Sequence, residues 1–163
     1  MNNRFRLTLL IFLAIASTGC SRAAAPPAPH ASHQRVTIKG HTFNLELALD
    51  DASRYQGLSD RPEIAPDTGM LFVFPRPRVL EFVMRRCLVP IDLIYLDPGG
   101  RVINTHQMAV EPYDRPDAEL VHYASDWPAQ FVIELRGGTL AQLQLKPADR
   151  IDLPVESLKA RAR

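Results

Sequence analysis

Prolines constrain the fold of this chain more than any other feature of the sequence. Of its 14 prolines, three lie close together at residues 26–29, and the other eleven are spread between residues 62 and 154. Proline lacks a backbone N–H and clashes with the preceding helical turn, so it interrupts helices and central strands. The spacing therefore predicts short strands and loops rather than long helices.

The composition indicates one globular domain. The chain has 163 residues, of which 46% are hydrophobic and 23% charged, values that are typical of a folded protein of this length. The formal net charge is +1, and removal of a signal peptide that contains Arg4 and Arg6 would lower it by two, to −1. Binding to nucleic acid or to an anionic membrane surface favours concentrated positive charge, so we predict no nucleic-acid partner.

Residues 1–19 predict a signal peptide of the lipoprotein type. A basic start precedes the apolar segment 7–16, which is too short to span a bilayer and fits an export signal. The small residues before Cys20 resemble a lipobox, in which the chain is cut before the cysteine and lipid is attached to it. Several acyl chains on Cys20 would give stable attachment, and Ser21 favours the outer membrane. The prediction is an exported protein held by Cys20 on the periplasmic side of that membrane; ordinary secretion with a cut after Ala25 is the alternative.

The rest of the chain divides into a tether, a domain and a tail. Residues 20–34 begin at the lipidated cysteine and continue as a Pro/Ala-rich segment, which predicts an extended tether. We interpret His30 and His33 within it as spacers, because no further metal ligands accompany them. Residues 35–157 are predicted to form a single β-rich domain, and residues 158–163 a disordered tail.

Alternating apolar and polar residues predict the strands of this domain. Residues 41–49 have the period of a half-buried strand and follow a turn after 36–38. Further strands are predicted at residues 70–74, 79–84, 91–97, 101–108, 130–135 and 150–153. Short helices are predicted at 52–56, after an N-cap at Asp50-Asp51, and at 139–145. The predicted fold is α+β and predominantly β, a compact barrel-like or highly curved sheet with two short helices.

The segment between residues 109 and 128 has no periodic pattern. A loop of this length in a compact domain is more often functional than idle. It contains Tyr113, Tyr123 and Trp127, whose rings would suit a platform for a sugar, a peptide or a cell-wall glycan. The alternative is that these rings pack the loop against the sheet.

Several short motifs stand in an order that resembles a known family. They are Gly57-Leu58 with Arg61, the run Gly69-Met70-Leu71-Phe72-Val73-Phe74, Phe82-x-Met84, Pro90-Ile91-Asp92, Ala124-Ser125-x-x-Pro128-Ala129, Glu134-Leu135-x-Gly137-Gly138, and Asp149. Together they resemble domain-of-unknown-function family 192 (DUF192) over about residues 36–153. The resemblance implies a compact β-rich fold and no established activity. Where the family commonly has Trp-Met-Lys-Asn-Thr, this chain has residues 83–87, Val-Met-Arg-Arg-Cys, so a ligand bound through that tryptophan and asparagine would be bound differently here.

Asp92 is the most informative residue of the long apolar stretch 81–97. Aliphatic residues flank it on both sides, so its carboxylate is predicted to be buried. A buried carboxylate needs an arginine or backbone N–H groups as partners, and the candidate arginines are Arg61, Arg85 and Arg86. A structural lock at a strand end and a ligand-binding or catalytic role both remain open.

Cys87 is the one cysteine of the predicted domain, and we interpret it as an inert, partly buried thiol. The alternative is a nucleophile with His106 or His122 as its base and Asp92 as a third member. No local signature supports that arrangement.

Soft metal ligands raise a further alternative. Thioether, thiolate and imidazole groups suit copper(I), and the candidates are Met70, Met84, Cys87, His106 and Met108. Their spacing matches no tight motif, and methionine within apolar strands commonly fills the core. We therefore predict no metal and no cofactor.

The sequence favours a non-catalytic envelope lipoprotein that binds a small ligand or an envelope component. The predicted ligand-binding residues are Arg61, Met84, Arg85, Asp92, Tyr123 and Trp127. The first alternative is a hydrolase or transferase with Asp92 as acid–base, and the second is a periplasmic copper-handling protein. The chain has no phosphate-binding glycine loop, no G-x-S-x-G and no H-E-x-x-H, which excludes the commonest enzyme classes.

Overall fold

The structure is a computed structural model that describes residues 32–163. The predicted signal peptide, Cys20 and most of the predicted tether lie outside the described residues. Within residues 32–163, no helix is long and apolar enough to cross a membrane. The first strand begins at His33, two residues before the predicted start of the domain.

Eight strands, three α-helices and one short 3-10 helix make up the described residues. In chain order they are β1 His33–Ile38, β2 His41–Ala48, α1 Asp51–Gln56, β3 Thr68–Arg78, β4 Glu81–Phe82, β5 Ile91–Leu96, β6 Val102–Met108, the 3-10 helix Asp117–Glu119, β7 Tyr123–Ala124, β8 Ala129–Arg136, α2 Thr139–Leu143 and α3 Val155–Arg161. The prediction of an α+β, predominantly β fold is confirmed, with one helix more than the sequence predicts.

Six strands form one open sheet in the order β1-β2-β3-β8-β5-β6, and β4 pairs with β7 in a separate two-stranded sheet. The β2–β3 pair is parallel, because the connection through α1 carries the chain back to the same end of the sheet. The other neighbours in the large sheet are antiparallel. Its edges are β1 and β6, so the sheet does not close on itself.

The large sheet has two buried faces. One, the helix face, packs against α2 and α3 through Leu143 and Leu158. The other, the loop face, is covered by the segments 49–66, 79–90 and 109–128, and Leu58, Leu80 and Met84 from those segments are buried on it. Strands β3, β5 and β8 are covered on both sides, which explains why their sequences are almost continuously apolar.

The helix α1 begins one residue before its predicted start and ends where the sequence predicts. The Asp50 carboxylate accepts a hydrogen bond from the Ser53 N–H at 2.8 Å, which satisfies a backbone donor of the first turn. Gly57 ends the helix with a φ of 51°, a conformation that glycine adopts without a steric penalty.

Several predicted boundaries differ from the structure, and three of the differences change what a segment forms. Of residues 79–84, only Glu81–Phe82 form a strand, and the predicted strand at 150–153 is a single bridge between Arg150 and Arg101. The predicted disordered tail begins at residue 158, whereas α3 continues to Arg161. Burial of Leu158 explains the helix, since its side chain is 0% exposed on the helix face.

Candidate functional site

A cavity of about 330 Å³ lies between the loop face and the segments that cover it. Its volume falls within the range of roughly 300–1,000 Å³ that ligand pockets occupy. The apolar wall consists of Tyr55, Leu58, Phe72, Phe74, Phe82 and Val83. The charged lining residues are Asp51, Arg54, Arg78, Glu81, Arg85, Asp117 and Glu134. Since Glu134 belongs to the sheet and most of the other charges lie at the surface, we refer to Glu134 as the floor and to the exposed rim as the mouth.

Glu134 is the unusual residue of this cavity. Its side chain is buried, with 5% of the residue exposed, and its Oε2 has no hydrogen-bond partner within the part of the chain that the structure describes. Burial raises the pKa of Glu134 to about 8, and the positive charge of Arg61 opposes the rise. A buried, unpartnered carboxylate would be costly, so the carboxyl group is mostly protonated at neutral pH. A neutral carboxyl group on a cavity wall can both donate and accept a hydrogen bond.

The alternation of β8 places Glu134 on the loop face. It pairs with Met70 on β3 and with Leu93 on β5, which lie in the core of that face. Gly57 lies next to the Glu134 side chain. A Cβ added at Gly57 would lie 3.8 Å from Glu134 Oε2 and 3.6 Å from Phe72 Cζ. The bare glycine at the end of α1 therefore brings backbone close to the Glu134 carboxyl group.

A second acid on the loop face is fully paired. Glu46 on β2 lies in register with Met70, which lies in register with Glu134. Two hydrogen bonds of 2.5 and 2.7 Å join Arg61 to the two carboxylate oxygens of Glu46. The hydrogen bond from Arg61 holds the pKa of Glu46 below its ordinary value. On the same face of the sheet, the Glu46 carboxyl group is therefore ionised and that of Glu134 is neutral, because Arg61 binds Glu46 and not Glu134.

Three arginines stack on aromatic rings of the cavity. The guanidinium carbon atoms of Arg54 and Arg78 lie 5.2 and 5.4 Å from the centroid of the Phe74 ring. That of Arg85 lies 3.9 Å from the centroid of the Tyr55 ring. Such stacking holds a guanidinium group against an apolar surface while its N–H groups stay available.

Arg54 is also tied into the fold. It donates to the backbone carbonyl of Val73 at 2.8 Å, to that of Arg163 at 2.6 Å, and to the Asp51 carboxylate at 2.7 Å. Among the residues that the structure describes, Arg85 donates only to the backbone carbonyl of Tyr55. Arg54 is therefore a fixed part of the wall.

Cys87 lines the cavity as a protonated thiol. The residue is 6% exposed, and burial raises the pKa of the thiol to about 12. Glu134, which is ionised at that alkaline pH, adds to the rise. Its sulfur atom contacts the Arg85 carbonyl at 3.6 Å. A thiol in this state is a poor nucleophile, which agrees with the predicted inert role.

His106 binds the loop of residues 109–128 to the sheet. Its Nε2 lies 2.8 Å from the Ala124 carbonyl oxygen, and the Tyr95 hydroxyl donates to the Tyr123 carbonyl at 2.6 Å. Since His106 is in register with Leu93, the adjacent Asp92 points to the other face of the sheet. The Cys87, His106 and Asp92 set that the sequence permits is therefore not assembled.

Asp92 is held by backbone groups. Its Oδ2 accepts a hydrogen bond from the Leu140 N–H at 2.6 Å. Burial raises the pKa of the Asp92 carboxyl group, and hydrogen bonds from the N–H groups of Leu140, Gly138 and Thr139 oppose the rise. Asp92 thus joins β5 to the start of α2 on the helix face.

The prediction that an arginine pairs with Asp92 is wrong. The three candidate arginines have other partners: Arg61 binds Glu46, Arg85 binds the Tyr55 carbonyl, and Arg86 binds Asp60. The second predicted possibility, backbone N–H groups, is the one that the structure contains.

Of the six predicted ligand-binding residues, Arg85 lines the cavity. Asp92 and Arg61 have the partners described above, and Met84 is buried in the core with 1% of its surface exposed. Tyr123 packs against the His106 ring at a centroid distance of 5.6 Å, and Trp127 is 71% exposed away from the lining. The structure therefore does not bring these six side chains together in one site.

Glu134 is the site residue that the sequence analysis missed. In the sequence it is an acidic residue within the largely apolar segment from Gln130 to Leu135. Asp92 stands in a segment of the same kind.

The soft side chains considered for copper lie mostly in the core. Met70, Met84, Cys87 and Met108 are buried in the cluster on the loop face, while His106 binds the Ala124 carbonyl. Among residues 32–163, no three or more His, Cys, Asp or Glu side chains are grouped so that they would hold a metal ion.

Comparisons with known proteins identify a family and two similar solved structures. The profile of the DUF192 family, described as Uncharacterized ACR, matches residues 34–153. A crystal structure of a protein of unknown function from Novosphingobium aromaticivorans DSM 12444 is similar at 31% identity and a TM-score of 0.67, covering 80% of this chain and 94% of that one. A candidate transcription regulator from Sinorhizobium meliloti 1021 is similar at 29% identity and a TM-score of 0.64, covering 75% and 94%. No curated protein matches the chain.

Proposed function

The chain belongs to the DUF192 family, and we propose that its domain is a non-catalytic binding module that holds a small ligand in the Glu134 cavity. The observation that carries the proposal is a buried carboxyl group whose Oε2 has no hydrogen-bond partner among residues 32–163, on the floor of a cavity of about 330 Å³. Binding pockets typically combine an apolar wall with a few convergent polar groups. A ligand that offers a hydrogen-bonding group to the Glu134 carboxyl group would give that buried group a partner.

The state of the neighbouring groups favours binding over catalysis. The Cys87 thiol is protonated because burial raises its pKa to about 12, and Asp92 lies on the opposite face with its carboxylate bound to the Leu140 N–H. A role on DNA is not part of the proposal, since the formal net charge is only +1.

The proposed site is tested by filling the cavity. Val83 lies on the lining, so Val83→Trp should occupy ligand space, whereas Val79 is 54% exposed and Val79→Trp adds the same side chain outside the lining. A library of small organic fragments is screened by NMR, with the methyl groups of Val83 and Leu58 as reporters. We expect fragments that shift both reporters in the wild type and in Val79→Trp and that no longer shift Leu58, the reporter that remains, in Val83→Trp. The proposal fails if no fragment shifts the reporters, or if every bound fragment binds a folded Val83→Trp equally well.

The second part of the proposal concerns location. We propose that the protein is exported and is anchored by lipid on Cys20, on the periplasmic side of the outer membrane, with the domain held off the surface by the segment before residue 33. The support is the basic and apolar start of the sequence followed by Ser17-Thr18-Gly19-Cys20. Cys20→Ala should abolish acylation and leave the precursor uncut, whereas Cys87→Ala should be processed normally. A mature protein that mass spectrometry finds to begin beyond residue 20 without lipid would overturn the anchor.

A further inference from the structure

We propose that the ligand of the Glu134 cavity is a small organic anion, with its anionic group bound by Arg78 and Arg85 at the mouth and a hydrogen-bond acceptor bound by Glu134 at the floor. This inference rests on the proposed binding function and names the chemical class of its ligand.

Two arginines of the cavity have no acidic partner in the described part of the chain. The other arginines near the cavity each pair with a carboxylate: Arg54 with Asp51, Arg61 with Glu46, and Arg86 with Asp60. Among residues 32–163, neither Arg78 nor Arg85 has a carboxylate oxygen within 4.0 Å. Both line the cavity. The planar guanidinium group matches a carboxylate or phosphate in a two-point geometry, so these two side chains suit an incoming anion.

A cationic ligand would find two of the four aromatic rings of the lining, Phe74 and Tyr55, already occupied by guanidinium groups. Aromatic sites bind ammonium groups through the faces of their rings. The Phe74 ring is contacted by both Arg54 and Arg78, and the Tyr55 ring by Arg85. An ammonium group entering the cavity would therefore meet guanidinium groups at these rings.

The charge state of the floor fits an anion with a polar group at its far end. Because the pKa of Glu134 is raised to about 8, its carboxyl group is neutral at pH 7 and donates a hydrogen bond rather than repelling the ligand. The remaining acids of the lining are exposed, and two of them have partners: Asp51 binds Arg54, and Glu81 contacts His122. Asp117 is the third, and it lies at the mouth on the 3-10 helix. The wall between mouth and floor is apolar, since Phe72, Phe82 and Val83 form it.

The inference is tested with three probes that share one body and differ in charge: 4-hydroxyphenylacetate, its neutral amide 4-hydroxyphenylacetamide, and the amine tyramine. Binding to the purified protein is measured by NMR titration at pH 7 with the Val83 and Leu58 reporters. We expect 4-hydroxyphenylacetate to bind at least about tenfold more tightly than the amide, a difference of ~1.4 kcal/mol, and tyramine to bind most weakly. Arg78→Gln and Arg85→Gln should each weaken binding of the carboxylate by about tenfold, whereas Arg150→Gln, a change at a distant exposed arginine, should leave it unchanged.

The outcomes separate this inference from the binding function itself. If the amide or tyramine binds as tightly as the carboxylate, and that binding is lost in Val83→Trp, the cavity binds ligands but the anion inference is wrong. The inference is also overturned if none of the three probes shifts the cavity reporters at millimolar concentration; the fragment screen then decides independently whether the cavity binds anything. Equal carboxylate affinity in wild type, Arg78→Gln and Arg85→Gln would contradict the assigned role of the arginines.

Discussion

The Asp92 carboxylate accepts a hydrogen bond of 2.6 Å from the Leu140 backbone N–H, 48 residues further along the chain. The bond joins β5 to the start of α2, and the N–H groups of Gly138 and Thr139 also oppose the rise that burial causes in the pKa of Asp92. Asp92 therefore fixes a helix on the face opposite the cavity, and its burial is a structural requirement of that junction.

Asp92→Ala should lower the free energy of unfolding by about 1–3 kcal/mol, because backbone donors of α2 lose their buried acceptor. Urea denaturation measures the change. Asp152→Ala is the matched control, since the Asp152 side chain is 93% exposed, and it should have little effect. Fragments should still bind in the Glu134 cavity of folded Asp92→Ala. If this variant is as stable as the wild type, the contact between Asp92 and the start of α2 contributes nothing to stability.

Gly69 permits β3 to approach β8. A Cβ at this position would lie 2.2 Å from the Glu134 carbonyl oxygen and 3.0 Å from Leu135 Cδ2, so Gly69→Ala must push apart two central strands. We expect a loss of about 3 kcal/mol or more in the free energy of unfolding. Gly99→Ala is the control, because its nearest atom would be Asp97 Oδ1 at 3.3 Å in an exposed turn. Equal stability of the two variants would contradict the close packing at Gly69.

The raised pKa of Glu134 predicts a dependence of stability on pH. The ordinary pKa is 4.5 and the folded value is about 8, so between these values the folded state binds more protons than the unfolded state. The free energy of unfolding should therefore fall as pH rises from about 4.5 to 8, by up to a few kcal/mol. Glu134→Gln should flatten this profile, while Glu156→Gln, at a side chain that is 84% exposed, should retain it. A profile of the same slope in wild type and Glu134→Gln would show that another group is responsible.

The Tyr95 hydroxyl should stabilise the end of the long loop. Tyr95 is 0% exposed, and its hydroxyl donates to the Tyr123 carbonyl at 2.6 Å, so Tyr95→Phe leaves that carbonyl without its donor. We expect a loss of about 1–2 kcal/mol and faster amide exchange around residues 120–125. Tyr55→Phe, at a residue that is 69% exposed, should change neither quantity. Unchanged exchange in Tyr95→Phe would mean that other contacts hold the loop.

Local chemistry explains which parts of the fold could be predicted from the sequence. The alternation in β2 and the cap at Asp50 act over a few residues, so the first hairpin and α1 are predicted at nearly their observed positions. Pro75 and Pro77 predict that a strand ends at residue 74, yet β3 continues to Arg78 across a register irregularity that begins after Val73. Proline is tolerated at such irregularities because no ladder hydrogen bond is required there.

The site was harder to predict because it depends on distant partners. The sequence indicates that Asp92 is buried, but its acceptor role depends on a helix that begins at Thr139. From the sequence, Arg61 is a candidate partner for Asp92. Only the pairing of β2 with β3 brings Glu46 near enough to bind Arg61 instead. Glu134 carries the same sequence signal as Asp92, and the difference between them, a partnered and an unpartnered carboxyl group, arises entirely from tertiary contacts.

The central claim is that Glu134 stands as a neutral carboxyl group on the floor of a cavity, and a site-specific titration tests it most directly. The side-chain carboxyl carbon of Glu134 is followed by 13C NMR from pH 3 to 10, with assignment by Glu134→Gln. Glu46, whose pKa the hydrogen bond from Arg61 lowers, provides an internal comparison in the same protein. We expect a midpoint of about 8 for Glu134 and one below the ordinary value for Glu46. A Glu134 midpoint near the ordinary 4.5 would show a solvated or paired carboxylate and would contradict the account.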